Sequence, residues 1–317
     1  IEDCWFENNG TTNAGGGALR NDQGDIIIRR SKFKDNIGNN GGAIWNYGNL
    51  EIYDTTFENN LGRSRGGAIY NNINAGTLIV ERSTFTGNQT TDYDGGAIYS
   101  EHHLEISVTN STFHNNSATK GGAVYAENES SLFIMNSTFS ENNATSGASG
   151  IHTFGHLQLY HSIVANSTSG ADCYVNYLVS PIIVNNLIEN NSTGSYACGV
   201  PILTSDPNLG SLQDNGGYTQ TMAITATSPA YEAGNTDPGE CASTDQRGVS
   251  RPQETVCDLG AYELASAPIV LSSLRVDANP TTADIVNFTV SFSNSVTEVY
   301  ISDFALTTSG VSGASVS

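Results

Sequence analysis

Several groups of residues in this sequence carry side chains able to do chemistry. Asp92, Asp94, Glu101 and Glu105, with His102 and His103 beside them, form its densest acidic group. Two facing carboxylates at a defined separation are what a glycoside hydrolase needs. Arg29, Arg30, Lys32 and Lys34, with Arg63 and Arg65 one repeat further on, form a local basic patch. A β-eliminating lyase of acidic polysaccharides takes its base from such residues and uses cations to neutralise the substrate carboxylate. Trp45, Tyr70, Tyr99 and Tyr125 recur in step. As an outward column they would offer rings for stacking on sugars, and as an inward column they would be core. Arg247 stands among Asp206, Asp245, Asp258 and Glu263. That grouping reads as a buried ion-pair network closing the end of the fold, with a Ca²⁺ site built from Asp oxygens as the alternative. For the acidic and basic groups, solvated outer-face side chains are the favoured reading, because charged loop residues are commonly just hydrated.

What positions these residues is a repeat. Gly16-Gly17-Ala18-Leu19 returns as Gly41-Gly42-Ala43-Ile44, Gly66-Gly67-Ala68-Ile69, Gly95-Gly96-Ala97-Ile98 and Gly121-Gly122-Ala123-Val124, with a degenerate copy at Gly147-Ala148-Ser149-Gly150-Ile151. The alanines Ala18, Ala43, Ala68, Ala97 and Ala123 step by 25, 25, 29 and 26 residues. Out of phase with this runs Phe-x-x-Asn: Phe6/Asn9, Phe33/Asn36, Phe57/Asn60, Phe85/Asn88, Phe113/Asn116 and Phe139/Asn142, then Ile163/Asn166 and Ile188/Asn191. Short alternating runs such as Leu50-Glu51-Ile52 and Leu78-Ile79-Val80 lie between the two signatures and read as strands.

A unit of this length cannot close a core alone, but stacked copies can, as a parallel β-helix with one coil per repeat. Equivalent residues then lie about 4.8 Å apart, so eight Phe-like rungs predict about eight coils over about 38 Å. Phe should stack on Phe inside. Asn36, Asn60, Asn88, Asn116 and Asn142 should form a hydrogen-bonded amide ladder at one corner. The glycine pair should supply a positive φ or a close backbone approach at another. A threonine precedes each Phe from Thr56 through Thr84 and Thr112 to Thr138, and reads as an exposed strand position chosen for β-propensity.

Composition sets the limits. Twelve Lys and Arg against 32 Asp and Glu give a net charge of −20. That balance argues against nucleic acid, whose phosphates need cations. No apolar run approaches a membrane span of about 20 residues. Cys173 and Cys198 lie 25 residues apart, close to one coil, where stacked residues suit a disulfide. Cys241 and Cys257 form the second expected pair, and Cys4 is left over. Disulfides imply an oxidising, extracytoplasmic compartment. The expected divisions are a β-helix over 1–199, a capping segment over 200–264, a linker over 265–270 and a partial β-sandwich over 271–317. For the last, Val286, Phe288, Val290 and Phe292 alternate with polar residues between turns at Asn279-Pro280 and Thr308-Ser309-Gly310. A repeat already under way at Phe6 and a sandwich too short to close suggest a segment of a longer protein.

The Gly-Gly-Ala-Ile and Phe-x-x-Asn motifs resemble the repeats of chlamydial polymorphic outer membrane proteins, and more broadly pectate-lyase-like right-handed parallel β-helices. This resemblance implies an all-β, right-handed solenoid and a surface-exposed adhesin, and no particular activity. Asp206-Pro207-Asn208-Leu209, Asn215-Gly216-Gly217, Ser228-Pro229-Ala230, Thr244-Asp245-Gln246-Arg247-Gly248, Arg251-Pro252 and Cys257-Asp258-Leu259-Gly260-Ala261-Tyr262-Glu263 resemble the choice-of-anchor Q domain. That implies a secreted or surface bacterial protein. Tyr231-Glu232 departs from that family's more frequent Ile-Asp. The tail is similar to bacterial Ig-like repeats. The expectation is a non-catalytic adhesin or extracellular structural component, filaments included. Its partners would be cell-surface glycans or copies of itself, with no nucleic acid, no membrane span in this segment and no cofactor. The alternative is a polysaccharide-active or glycan-binding β-helix protein.

Overall fold

The computed structural model describes residues 1–11, 15–176, 180–237, 239–265, 270–277, 285–292, 296, 299–305 and 315–316. The chain divides into two compact units, Ile1–Leu264 and Ala265–Ser317. The first is a β-solenoid of parallel sheets. One wall has eight strands, from Trp5–Glu7 to Leu187–Ile188. A second has seven, from Leu19–Asn21 to Ala171–Val175, and a third has seven, from Ile26–Arg29 to Ile182–Val184. A short fourth sheet of five two-residue strands, Ile37–Gly38 to Asn143–Ala144, fills one corner. The eight rungs of the first wall and seven of the next two make about seven full turns, against the eight coils expected.

One coil shows how the sequence dictates the path. Thr56–Glu58 lies in the first wall with Phe57 pointing inward. Asn60 turns the corner into Leu61–Gly62. Gly66 has φ +67°, and a Cβ on Gly67 would lie 1.9 Å from the Gly96 carbonyl oxygen. The first glycine therefore supplies the left-handed conformation and the second the close approach. Ile69–Asn71 forms the second wall and Leu78–Glu81 the third. Alternation sends Ile69, Asn71, Leu78 and Val80 inward, all with no exposed surface.

Register is held by ladders. Phe6, Phe33, Phe57, Phe85, Phe113 and Phe139 pair in sequence, with ring centroids 4.6–4.9 Å apart and planes within 7°. Beside them Asn9, Asn36, Asn60, Asn88, Asn116 and Asn142 form the expected amide ladder. Within it Asn88 is fully engaged. Its Oδ1 accepts from the backbone N and Nδ2 of Asn60 at 3.0 and 2.9 Å. Its Nδ2 donates to Asn116 Oδ1 at 3.0 Å and to the Phe57 carbonyl at 2.9 Å. All four bonding sites of a buried amide are used, which is what lets it sit at 0% exposure. Two further ladders went unread. Asn21, Asn46 and Asn71 link side chain to side chain and end on Ser100. Thr55, Ser83, Ser111, Ser137 and Ser162 each accept a backbone N–H from the coil before.

Three expectations are corrected. The residue stacked in register on Phe139 is Val164, not Ile163. Ile163 pairs with Thr138 and packs outward against Ile224, Ala230 and Leu259. The residue before each ladder Asn is left-handed in earlier coils, as at Asn59, Asn115 and Glu141, and Asn166 takes that conformation in the seventh. The copy is thus Val164-Ala165-Asn166-Ser167, one residue late.

Second, the threonine rank is not an exposed strand. Thr84, Thr112 and Thr138 are buried. Third, segment 200–264, expected as a cap, is not confined to an end of the solenoid. It runs back along the outer side of the first wall and docks on those threonines. Thr84 Oγ1 donates to the Gln220 carbonyl at 2.6 Å, Thr112 Oγ1 to Gln246 Oε1 at 2.7 Å, and Thr138 Oγ1 accepts from Ala261 N at 2.9 Å.

Both disulfides are present. Cys173–Cys198 has a Cα separation of 5.9 Å, and Cys241–Cys257 one of 6.6 Å. Cys4 is a free, exposed thiol. In the second unit, Val270–Arg275 pairs antiparallel with Phe288–Phe292, and a single turn of 3₁₀ helix spans Ile301–Asp303. Phe288, Val290 and Phe292 thus lie on one strand. The turns expected at Asn279-Pro280 and Thr308-Ser309-Gly310, and most of the linker expected over 265–270, lie outside the described residues.

Candidate functional site

In the second wall the residue that follows each inward Ile44, Ile69, Ile98, Val124, Ile151 or Cys173 points out. In register these outward residues are Arg20, Trp45, Tyr70, Tyr99, Tyr125, His152 and Tyr174. They form one column of stacked rings. Centroids are 6.5 Å apart for Trp45–Tyr70, then 5.7, 5.2, 5.5 and 4.2 Å down to Tyr174, and Tyr196 adds a last ring at 5.1 Å. The Arg20 guanidinium lies 4.6 Å over Trp45 at the other end. The four expected aromatics are therefore brought together outside the lumen, but their faces are covered by one another. Tyr70, Tyr99 and Tyr125 form a buried cluster of their own. A flat stripe open for sugar stacking is not what they make. His152, Tyr174 and Tyr196 were missed. Taking the residue after each inward Ile or Val would have found His152, which follows Ile151 in the degenerate copy.

Loops flank the column on both sides. Tyr70 donates its hydroxyl to Glu101, and Tyr99 donates its own to Glu127. Glu101 also accepts the Ile73 N–H at 2.8 Å and faces Arg65 at 3.4 Å. Glu127 also contacts His102 Nε2 at 2.5 Å. Arg65 lies 5.1 Å over the Tyr99 ring. Burial, then the carboxylate beside each phenol, drives the Tyr70 and Tyr99 pKa values up. Burial likewise raises Tyr125 and the carboxyl of Asp94, the latter pulled back by Lys120 and Arg65. His152 has only 3% of its surface exposed. Burial, with Lys120 as a lesser cause, holds its imidazole down to about 3.

The acidic group expected at 92–105 does not converge. Asp92 and Glu105 are exposed, and His103 pairs with Glu129 at 2.9 Å in solvent. Only Asp94, Glu101 and His102 border the column, and the third carboxylate there, Glu127, was not anticipated. The floor beside it is a shallow depression of about 220 Å³ lined by His102, Tyr125, Glu127, Asn128 and Phe154. Glu101 and Glu127 thus hold phenols and an imidazole from the column and its flanking loops.

The basic patch is dissolved into pairs. Arg30 binds Glu2 and Asp3, Lys32 binds Glu58 at 2.6 Å, and Lys34 binds Glu7 at 3.2 Å. Arg29 lies 5.0 Å over the Tyr53 ring, and Arg63 is exposed.

In the returning segment Arg247 binds Asp245 at 2.6 Å and lies 3.6 Å over the Tyr262 ring. A second buried cation, Arg251, holds Glu263 at 2.8 Å and reaches the Asp258 and Gly260 carbonyls. Sequence reasoning overlooked it. Asp258 accepts from the Glu232 and Leu264 backbone N–H groups. Asp206 stands apart, exposed and capping its own turn at Asn208 N, 2.7 Å away. Among the described residues no three His, Cys, Asp or Glu side chains converge as a metal-binding set. Among them, too, no helix is long and apolar enough to cross a membrane.

Residues 54–72, 82–101 and 110–127 match the Chlamydia polymorphic membrane protein repeat. Three consecutive coils carry that repeat. Each matched stretch begins at a left-handed corner residue, Asp54, Arg82 or Asn110. Each then runs through the core Phe, the ladder Asn and the glycine pair to the column tyrosine, Tyr70, Tyr99 or Tyr125. Such repeats on a parallel solenoid fit a surface β-helix protein of the polymorphic membrane protein kind. No curated protein and no solved structure matches the chain at a significant level.

Proposed function

We propose that this chain is a non-catalytic bacterial surface protein that acts as an adhesin or as a structural component of extracellular material, without a cofactor. In this reading the solenoid over 1–199 is a rigid rod. Segment 200–264 is a choice-of-anchor Q-like cap, and 271–317, beyond a linker at 265–270, belongs to an Ig-like spacer. The observation that carries it is the run of three polymorphic membrane protein repeats on consecutive coils. In support, the charged and aromatic side chains beside the column are engaged with each other, as Glu101 is with Tyr70 and Glu127 with Tyr99 and His102. Partners are surface glycans or further copies of the chain, the latter giving filaments.

The test pairs adherence with turnover. Beads coated with the chain should adhere to cells, and acidic polysaccharides should stay intact in the same preparation. Turnover that disappears on Asp94→Ala or Arg63→Ala would overturn the reading. A second reading, a polysaccharide-active protein, draws on one observation. Asp94 is partly buried beside Lys120 and Arg65, with its pKa raised, as a catalytic acid's would be.

A further inference from the structure

The threonine column on the outer side of the first wall is covered unevenly. Thr84, Thr112 and Thr138 are sealed under the returning segment, but Thr56, in register with Thr84 one coil earlier, is left partly open. The covering ends at a hairpin, Leu212–Gln213 paired antiparallel with Thr221–Met222. Thr219 and Gln220 pin it to the fourth coil through the Arg82 carbonyl at 2.9 Å and Thr84 at 2.6 Å. Between the hairpin and the open wall lies a cleft of about 600 Å³, within the ~300–1,000 Å³ typical of small-ligand sites. It continues into a second depression of about 330 Å³ that shares Lys32, Thr56 and Tyr218. Tyr218 is 70% exposed, with the Arg30 guanidinium, itself paired with Glu2 and Asp3, 5.7 Å from its ring centroid.

We infer that this cleft binds a neutral oligosaccharide, with Tyr218 as the stacking platform. The lining supplies hydroxyls from Thr56 and Thr86 and amides from Asn59 and Gln220, groups that exchange hydrogen bonds with sugar hydroxyls. Its one cation, Lys32, is neutralised by Glu58 at 2.6 Å. Asp214 is occupied with the Gly216 N–H. Nothing in the cleft therefore favours a polyanion, and the chain's net charge of −20 opposes one. An extended peptide would need an unpaired strand edge. Thr56–Glu58 instead pairs with Lys32–Lys34 on one side and Thr84–Thr86 on the other. An exposed aromatic ring beside hydroxyls and amides, with no net cation and no free edge on the wall strand, is suited to the apolar face and polar rim of a sugar.

The inference rests on the proposed surface-binding role, and it is tested on the whole chain. Linear neutral tri- to hexasaccharides of glucose, galactose and N-acetylglucosamine are titrated calorimetrically, with uronate oligosaccharides as the acidic comparison. A neutral chain should bind with little salt dependence. Tyr218→Ala should weaken it at least tenfold and Asn59→Ala severalfold, while Tyr99→Phe in the ring column leaves it unchanged. The exposure of Tyr218 predicts an unchanged melting temperature for Tyr218→Ala, and Asn59→Ala serves if it does not fold. Binding confined to uronates, binding indifferent to Tyr218 and Asn59, or no binding to any sugar would each overturn the inference. Adherence that survives with no sugar bound leaves the surface role standing without the cleft. Turnover of a bound sugar removes the non-catalytic role and leaves the cleft.

Discussion

His152 gives the sharpest quantitative handle on the ring column. Its imidazole is stacked between Tyr125 and Tyr174, at 5.5 and 4.2 Å. Nδ1 accepts from the Ala148 N–H at 3.2 Å, and Nε2 is buried without a hydrogen-bond partner. Burial and Lys120 hold the folded pKa down to about 3, while the unfolded chain takes up the same proton near pH ~6.5. The sign follows from proton counting. Between those two values the unfolded state binds a proton that the folded state refuses, so stability is full above about pH 6.5 and is lost as pH falls toward about 3. At pH 5 the gap is about 1.5 units below the unfolded value, worth about 2 kcal/mol.

Replacing His152 with Phe keeps a ring in the stack and removes the titration. The lost Ala148 bond costs the same at every pH, and so cancels from a pH difference. Buried Asp94 and Asp172, whose raised pKa values favour the folded state as pH falls, are common to both proteins. So is His161, which burial holds down to about 4. The measurement is urea unfolding of both proteins at pH 7 and pH 5. The stability difference between them should move by about 2 kcal/mol in favour of the Phe variant at pH 5. With a slope of about 3 kcal/mol per molar urea, that is a relative midpoint shift of about 0.6 M. A difference that is the same at both pH values would refute the argument that His152 folds neutral.

Three further outcomes are expected. Asn88→Ala strands partners in the two adjacent coils, the Asn60 backbone N–H and Nδ2, the Phe57 carbonyl and Asn116 Oδ1. It should cost on the order of 3–5 kcal/mol in a denaturant titration, since several buried groups lose partners at once. Gln246→Ala removes the amide that donates to Thr84, Thr219 and the Gln220 carbonyl and accepts from Thr112. Hydrogen exchange should rise in 206–264 while the Phe and Asn ladders stay protected. Arg251→Ala leaves Glu263 buried without its cation and should lower stability by about 3–5 kcal/mol in thermal unfolding with added urea, more than removal of any surface pair.

The repeat made the solenoid readable because one coil's chemistry is copied upward. A Phe that must stack and an Asn that must bond its own kind leave a period visible without any alignment. What repeats and yet serves a distant partner was not readable. Thr84 and Thr112 look like any strand threonine, and the residues that seal them, Gln220 and Gln246, lie more than 130 positions away. The slip at Ile163 had a local cause. Once Phe is lost from the seventh coil, two adjacent apolar residues compete for its place, Asn166 three positions after Ile163 favours the wrong one, and the left-handed residue ahead of the ladder position separates them. Arg251 was passed over because Arg247 sits closer in sequence to an acid. The carboxylate that needs a buried cation is Glu263, and backbone geometry alone brings Arg251 to it.

The outer faces show why the open stretch of wall matters. A solenoid buries its inner faces by stacking, but each outer face must be covered or stay wet. The second wall is covered by its own rings, which stack along the axis and leave Tyr70, Tyr99 and Tyr125 with at most 7% exposure. The first wall is covered by the returning segment, as far as Thr84. That second cover ends before Thr56, where the wall keeps the same strand pairing and the same residue type but no docked segment. A threonine at Thr84 has its hydroxyl satisfied by docking. The same hydroxyl at Thr56 faces a cleft walled by an exposed tyrosine. If that stretch were merely uncovered surface, lengthening the hairpin to seal it would cost nothing in binding. If it is a site, a hairpin extended by two residues at Gly216-Gly217 should abolish sugar binding while raising the melting temperature.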